Sequence, residues 1–280
     1  MTSAQVIGLL HPGEMGAAVG RCLARAGHRV LWTSEGRGVE TAVRARDANL
    51  VDVGSMRRLK SESELIISVC PPHAALDVAW TVHGFTGLYL DANAIAPGTA
   101  REVAELITSN GGQYVDGGII GPPPLNPGST RLYLSGQQAA KISALFSGTA
   151  LEPRIIAGPD TAASAVKMAY AAWTKGSSAL LLTARALARA EGVEDALLDE
   201  WATSQPHLES QVGRAARATV AKGWRWVGEM EEIAVCMAGA GLPDGFHQAA
   251  AEVYRRTPRM SDPEHGEKVI DSVLDALTGP

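Results

Sequence analysis

Strand-like and helix-like segments alternate through the first half of the chain, and that alternation leaves few folds open. Gln5–Leu10, Arg29–Thr33, Leu65–Val69, Leu88–Asp91 and Gln113–Asp116 are short apolar runs, each bounded by Gly, Pro, Asn or Asp. Between them, Met15–Ala26, Val39–Arg46, His73–Val82 and Pro97–Asn110 repeat apolar residues at helical spacing. Strands separated by helices need crossovers, so the pattern predicts an α/β fold with a doubly wound, mainly parallel sheet covered on both faces. Pro97 suits a first helical turn, and Gly27 and Gly111 stand where left-handed caps end the preceding helices. Two more strand candidates, Arg131–Ser135 and Arg154–Ala157, extend the sheet.

From Gly158 the pattern turns all-helical. Thr161 to about Glu191 reads as one Ala- and Leu-rich helix stopped by Gly192. Asp195–Trp201, His207–Val220, Trp226–Ala240, Gly245–Arg256 and Glu264–Leu277 follow, punctuated by Pro206, Pro243, Pro258 and Pro263. The expected organisation is a dinucleotide-binding domain over 1–157 and an all-α domain over 158–280 that carries substrate and dimer contacts.

Several function classes drop out. The net charge of −5 comes from 25 basic and 30 acidic residues with no basic run, so no nucleic-acid partner is expected. Cys22, Cys70 and Cys236 lie far apart without a CxxC, which predicts reduced thiols and a cytoplasmic setting. The start, MTSAQVIGLLHPGEMG, lacks a basic n-region and its apolar run breaks at His11-Pro12-Gly13, so no secretory signal is expected. No stretch of 18 apolar residues predicts a membrane span. The histidines at 11, 28, 73, 83, 207, 247 and 265 form no metal-ligand pair, and neither a P-loop nor a G-x-S-x-G frame occurs.

VIGLLHPGEMGAAVG runs from a strand through a turn into a helix, the context a Rossmann-type dinucleotide site requires. In the G-x-G-x-x-G frame the three positions are His11, Gly13 and Gly16. The two glycines that admit the pyrophosphate and let the helix pack on the strand are present; His11 replaces the one that eases the turn. The next strand ends in Thr33-Ser34-Glu35-Gly36-Arg37. Ser34 and Arg37 suit the 2′-phosphate of NADP, whereas Glu35 suits the ribose diol of NAD. The reading leans to NADP and keeps NAD as the alternative.

In GPDTAASAVKMAYAAWTKGSSALLL, Lys167 is the sole charged residue between Asp160 and Lys175. Ser164, Lys167, Ala171, Thr174 and Ser178 share one stripe of a helix that is otherwise apolar nearly all round, so the helix is expected to be buried with a narrow polar seam. A lysine in such a place is a candidate proton donor near neutral pH. The commoner arrangement is a lysine snorkelling from a half-exposed helix. The want of other charges for a solvated face favours the catalytic reading.

The order of these motifs resembles the β-hydroxyacid dehydrogenases, which include 3-hydroxyisobutyrate and 6-phosphogluconate dehydrogenases. The likeness is strongest over residues 5–175. IGLLHPGEMG is similar to the family's IGxxGxGxMG, LYLDANAIAPGTA to its nicotinamide-side segment, and YVDGGIIGPPP to its substrate loop; Lys167 falls on the catalytic lysine. The resemblance implies cofactor contacts at Gly13, Glu14, Met15, Gly16, Val69, Pro71 and Asn93, beside Ser34 and Arg37. It implies substrate contacts at Gly118, Ile120, Gly121, Pro122 and Tyr170, and a homodimer whose helical domains complete each other's sites.

The departures matter. The family serine of the loop is Ile120 here, one glycine of its pair is Pro122, the Asn or His after the lysine is Tyr170, and a Lys-Asp pair becomes Glu231-Glu232. These changes remove groups that grip a carboxylate or phosphate, so 3-hydroxyisobutyrate and 6-phosphogluconate are not the expected substrates. VDGGIIGPPPLNPGSTRLYLSG is also similar to imine reductases, which place Asp or Tyr where this chain has Lys167. Three readings follow: an NAD(P)-dependent dehydrogenase or reductase for a small β-hydroxyacid or carbonyl compound, an imine reductase, and a non-catalytic nucleotide sensor or assembly subunit. No metal is expected.

Overall fold

The computed structural model describes residues 3–261 and 267–279. The sheet strands are β1 (Val6–Leu10), β2 (Arg29–Trp32), β3 (Val51–Asp52), β4 (Leu65–Ser68), β5 (Leu88–Asp91), β6 (Gln113–Ile120), β7 (Thr130–Ser135) and β8 (Leu151–Ile155). The helices are α1 (Glu14–Arg25), α2 (Val39–Asp47), α3 (Met56–Glu62), α4 (Ala75–Thr81), α5 (Pro97–Thr108), α6 (Ala139–Leu145), α7 (Ala162–Ala190), α8 (Glu194–Ser204), α9 (Leu208–Gly239), α10 (Gly245–Arg256) and α11 (Glu267–Thr278). The strand order is β3-β2-β1-β4-β5-β6-β7-β8, parallel from β3 through β6, with β7 antiparallel to β6 and β8 parallel to β7. This is the doubly wound α/β sheet that the alternation predicts.

Period-two burial builds the two faces of that sheet. Ile7, Leu9, Val30, Leu65, Ile67, Leu88 and Leu90 pack into one core with Val19 and Leu23 of α1 and Ile142 of α6. The intervening Leu10, Leu31, Ile66 and Tyr89 enter the other core with Leu59, Val78, Val103 and Ile107 of α3, α4 and α5. Because both faces are covered, the strands read as continuous apolar runs. Gly27 (φ +91°) and Gly111 (φ +83°) take the left-handed conformation expected at their helix ends.

Two compact units divide the chain, Met1–Met168 and Ala169–Pro280, and the division falls inside α7. In the second unit, Leu182, Val212, Ala216, Val220, Val269 and Val273 form a core among α7, α9 and α11. Arg189 pairs with Glu194, Asp271 and Asp275 at 2.7–3.3 Å.

Several elements differ from expectation. β3 and α3 escape a periodicity reading because two and seven residues are too short to show a period. The last strand is Leu151–Ile155 rather than Arg154–Ala157. The expected helices His207–Val220 and Trp226–Ala240 are one 32-residue helix, α9. Gly223 does not break it. A β-carbon there would be tight only against Thr219 Cγ2 of the same helix, at 3.1 Å, and would meet Thr257 Oγ1 and Tyr254 Cδ1 at ordinary contact distances of 3.4 and 3.5 Å. Residues 264–266 of the expected helix Glu264–Leu277 lie outside the described residues.

Candidate functional site

The strands β1, β4, β5 and β6 are parallel neighbours, so their carboxyl ends meet along one edge of the sheet. Consecutive connections leave β1 toward opposite sides, β2 on one flank and β4 on the other, which opens a crevice there. The glycine turn lies at that point. Gly13 is the N-cap of α1 with no side chain capping the helix, and its N–H donates to His11 O at 2.8 Å. A β-carbon on Gly13 would meet nothing within 4 Å, whereas one on Gly16 would lie 2.4 Å from His11 O and 3.7 Å from Val69 Cβ. Gly16 therefore serves packing, and Gly13 faces open space beside an uncapped helix terminus carrying Glu14 and Met15.

His11 keeps the backbone of the glycine it replaces, at φ +66°. For a non-glycine residue that conformation costs about 1–2 kcal/mol. Its Nδ1 is buried without a partner, and burial together with the Arg37 charge lowers its pKa to about 4. The imidazole is thus neutral at pH 7, and positive charge at the turn comes from arginine.

After β2 the chain makes a tight turn in which Arg37 N–H donates to Ser34 O at 3.0 Å and Gly36 sits at φ +69°. The Glu35 carboxylate accepts the Met56 N–H at 2.9 Å, which commits it to the first turn of α3. Ser34 N–H donates to Asp52 Oδ1 at 3.0 Å. A residue missed in the sequence, Arg44 of α2, reaches Pro12 O with Nε at 3.5 Å and Thr41 Oγ1 with Nη2 at 3.2 Å. Its only signal was a basic residue two helical turns beyond Arg37.

Val69 N–H donates to Leu10 O at 3.5 Å, and Pro71 opens a short 3-10 turn at Pro72–Ala74. Asn93 is buried and ties β4 to β5: its Oδ1 accepts the Cys70 N–H at 2.6 Å, and its Nδ2 donates to Ser68 Oγ at 3.0 Å. Its own N–H donates to Asp91 Oδ1 at 2.9 Å.

The strand registers align Ser68, Asp91, Asp116 and Ser135 in one buried polar row. Asp116 uses this position to hold the start of α7. Its carboxylate accepts Ser164 Oγ–H at 2.5 Å, Ser164 N–H at 2.8 Å and Ser135 Oγ–H at 3.0 Å. Ser135 Oγ in turn accepts the Ala163 N–H at 3.0 Å, and Ala162 N–H reaches Pro159 O at 2.9 Å. The first amides of α7, which have no partner within the helix, are satisfied in this way. Burial raises the Asp116 pKa against these hydrogen bonds.

Lys167 follows Ser164 by one turn. A β-carbon on Gly118 would lie 2.7 Å from Ala163 O and 3.0 Å from Lys167 Cβ, so the bare backbone of β6 lets α7 descend onto it. The structure thus brings Gly118 and Lys167 together near the carboxyl end of β6. Ile120 is buried. Gly121, at φ +129°, has no room for a side chain against Ser129 O at 2.4 Å, and Pro122 O accepts Thr130 Oγ1–H at 2.5 Å.

The expectation of a buried α7 needs correction. Lys167 is half-buried, and Tyr170, Trp173, Leu180 and Leu187 are 47–75% exposed along one side of the helix. An apolar composition shows that a face avoids charge; it does not show what covers it. His247, on α10, is buried against Gly176 of α7, with its Nε2 3.5 Å from where a β-carbon on Gly176 would be. Among the described residues no group of three His, Cys, Asp or Glu could hold a metal ion, and no helix is long and apolar enough to cross a membrane.

Residues 188–257 match a domain of unknown function, DUF1932. An uncharacterized 28.5 kDa protein in the 7S RNA 5′ region of Methanothermus fervidus is 29% identical over 167 residues, 59% of this chain and 64% of that protein. The mitochondrial 3-hydroxyisobutyrate dehydrogenase of Drosophila melanogaster is 23% identical over 147 residues, 51% of this chain and 45% of that enzyme. The matched stretch spans from under half to just under two thirds of the length of these relatives. A solved protein of unknown function with structural similarity to 3-hydroxyacid dehydrogenases is 25% identical with a TM-score of 0.67, over 97% of this chain and 99% of that one. The 3-hydroxyisobutyrate dehydrogenase of Mycobacterium tuberculosis, at 17% identity, gives 0.72 over 98% and 99%. A reductive aminase from Aspergillus terreus, solved with NADPH and ethyl levulinate, gives 0.57 at 20% identity over 98% and 100%. The chain shares the fold of the hydroxyacid dehydrogenases and reductive aminases, and the resemblance expected from its motifs holds.

Proposed function

We propose that a chain with this fold and this sheet edge binds NADP(H) and catalyses hydride transfer to or from a small carbonyl or β-hydroxy compound, with Lys167 as general acid and base. The observation that carries the reading is the seat of Lys167 over Gly118, on the strand ends that also hold the glycine turn. The open space at Gly13 and the start of α1, where no side chain caps the helix, fit a pyrophosphate, because the helix dipole favours an anion there. When bound, the nicotinamide supplies or accepts the hydride.

The rest falls to the chain. Arg37 and Arg44 flank the turn and suit a 2′-phosphate, while Glu35, the residue that would favour a diol and NAD, is held at α3. Glu14, Met15, Val69, Pro71 and Asn93 border the cofactor. Asn93 does so through the strand ends it ties together, since its amide is already occupied. Lys167 Nζ delivers a proton to the substrate oxygen in reduction and removes it in oxidation. Gly118 admits both helix and substrate, beside Ile120, Gly121, Pro122 and Tyr170. No cation replaces the lost loop serine, so a small, weakly polar carbonyl fits better than a phosphorylated acid. Residues 1–157 act as the nucleotide domain, and 158–280 carry dimer contacts through Tyr170, Trp173, Leu180 and Leu187, whose spacing of three and seven forms a helix–helix seam.

NADPH oxidation measured against pooled keto acids and aldehydes, and separately against cyclic imines, tests the reading. The carbonyl pool is expected to turn over, and Lys167→Ala to lose about 10²–10⁴-fold in rate with unchanged NADPH affinity. Turnover of imines alone, or indifference to Lys167→Ala, overturns the assignment. Tight NADPH binding without any turnover points to a sensor.

A further inference from the structure

A second concentration of positive charge lies on α1, and the nucleotide reading does not use it. Arg21 and Arg25, one helical turn apart, line a cavity of about 410 Å³ together with Cys22, Pro124, Leu125 and Thr149. They stand 8 and 12 residues beyond Gly13, about 12 and 18 Å along the helix axis. No carboxylate lines the cavity. Among the described residues neither arginine has a hydrogen-bond or ion-pair partner, and Arg21 Nε is buried without one.

That arrangement is costly without a ligand. Arg25 is exposed, so water screens its repulsion of Arg21; the cost lies at Arg21, whose buried Nε–H has no acceptor. Arg25 lies in the last turn of α1, where the helix dipole favours a cation, but that accounts for only one of the pair. The wall is built: Cys22 Sγ–H donates to Pro124 O at 3.7 Å, and Thr149 Oγ1 is bonded to Phe146 O at 2.9 Å. We propose that this cavity is an anion subsite, separate from the glycine turn, in which Arg21 and Arg25 together grip a small phosphate- or carboxylate-bearing molecule. Guanidinium groups match both anions in planar, paired hydrogen bonds. The loop that forms one wall, with Pro124, Leu125 and Pro127, follows Gly121 and Pro122 in the chain.

Calorimetric titration with inorganic phosphate, and separately with succinate, tests the site on the full chain, on Arg21→Gln/Arg25→Gln and on Arg37→Gln. Apart from binding at the glycine turn, which Arg37→Gln weakens, one anion is expected to bind at a second site that the paired variant weakens at least tenfold and Arg37→Gln leaves unchanged. The stronger of the two names the source of the charge. Arg21→Lys/Arg25→Lys, which keeps the charge and the fold but not the paired geometry, is expected to weaken binding less. Absence of binding by both anions, equal binding by the paired Gln variant, or loss in Arg37→Gln alone overturns the proposal.

Discussion

Replacing Asp116 by alanine removes the group that joins the sheet to the start of α7, and the cost follows from its hydrogen bonds. Ser135 Oγ can turn its proton to Asp160 O, 3.1 Å away, so it is not orphaned. Ser164 is: both its N–H and its hydroxyl lose their acceptor in a place closed to water. Each such loss costs about 1–3 kcal/mol. Against this, burial raises the Asp116 pKa, a sign that the carboxylate is incompletely repaid for its lost hydration. Removing it returns part of that cost. The balance is a loss of about 2–3 kcal/mol, with the first turn of α7 loosened and Lys167 displaced. Asp116→Asn, which keeps one acceptor, should lose about half as much. Urea unfolding gives the stability, and amide hydrogen exchange over residues 162–168 reports the helix start. A loss below about 0.5 kcal/mol with unchanged exchange in that segment would refute the reasoning.

Gly13 and Gly16 should separate binding from folding. Gly13→Ala places a methyl in open space and should leave the melting temperature unchanged while weakening NADPH binding by tenfold or more; Gly16→Ala collides with His11 O and should cost about 1–3 kcal/mol. Calorimetry and thermal melts check both. Burial lifts Asp91 from 3.8 to about 7, so its contribution to stability is full below the unfolded value and lost as pH rises through about 7, a span of about 4 kcal/mol. The stability difference between Asp91→Asn and the native chain should therefore grow in the variant's favour from pH 4 to pH 8 in denaturant titrations; a flat difference would contradict it. Leu180→Glu puts a charge on the exposed seam of α7 and should convert a dimer to monomers in sedimentation, whereas a monomeric native chain would end the dimer proposal.

The sequence alone determined the doubly wound sheet, the glycine turn, the all-helical second half and the candidacy of Lys167. Each of these rests on local periodicity or on a backbone conformation that few residues adopt, and such signals are written into neighbouring residues. Tertiary structure decided what distant segments do to one another. Asp116 looked like a strand end and proved to be the cap of α7, a link between residues 48 apart that no local pattern encodes. Glu35 stood in a loop with no partner in view along the chain, and α3, too short to be seen as a helix, supplies one in the Met56 N–H. Gly223 lies between two helices expected from the sequence, and only the structure runs one helix through it. Composition made α7 apolar, but whether an apolar face meets a neighbour or solvent depends on where the rest of the chain goes. Hydrophobic and propensity terms act along the chain and can be read from it; hydrogen-bond partners and close approaches act through space and cannot.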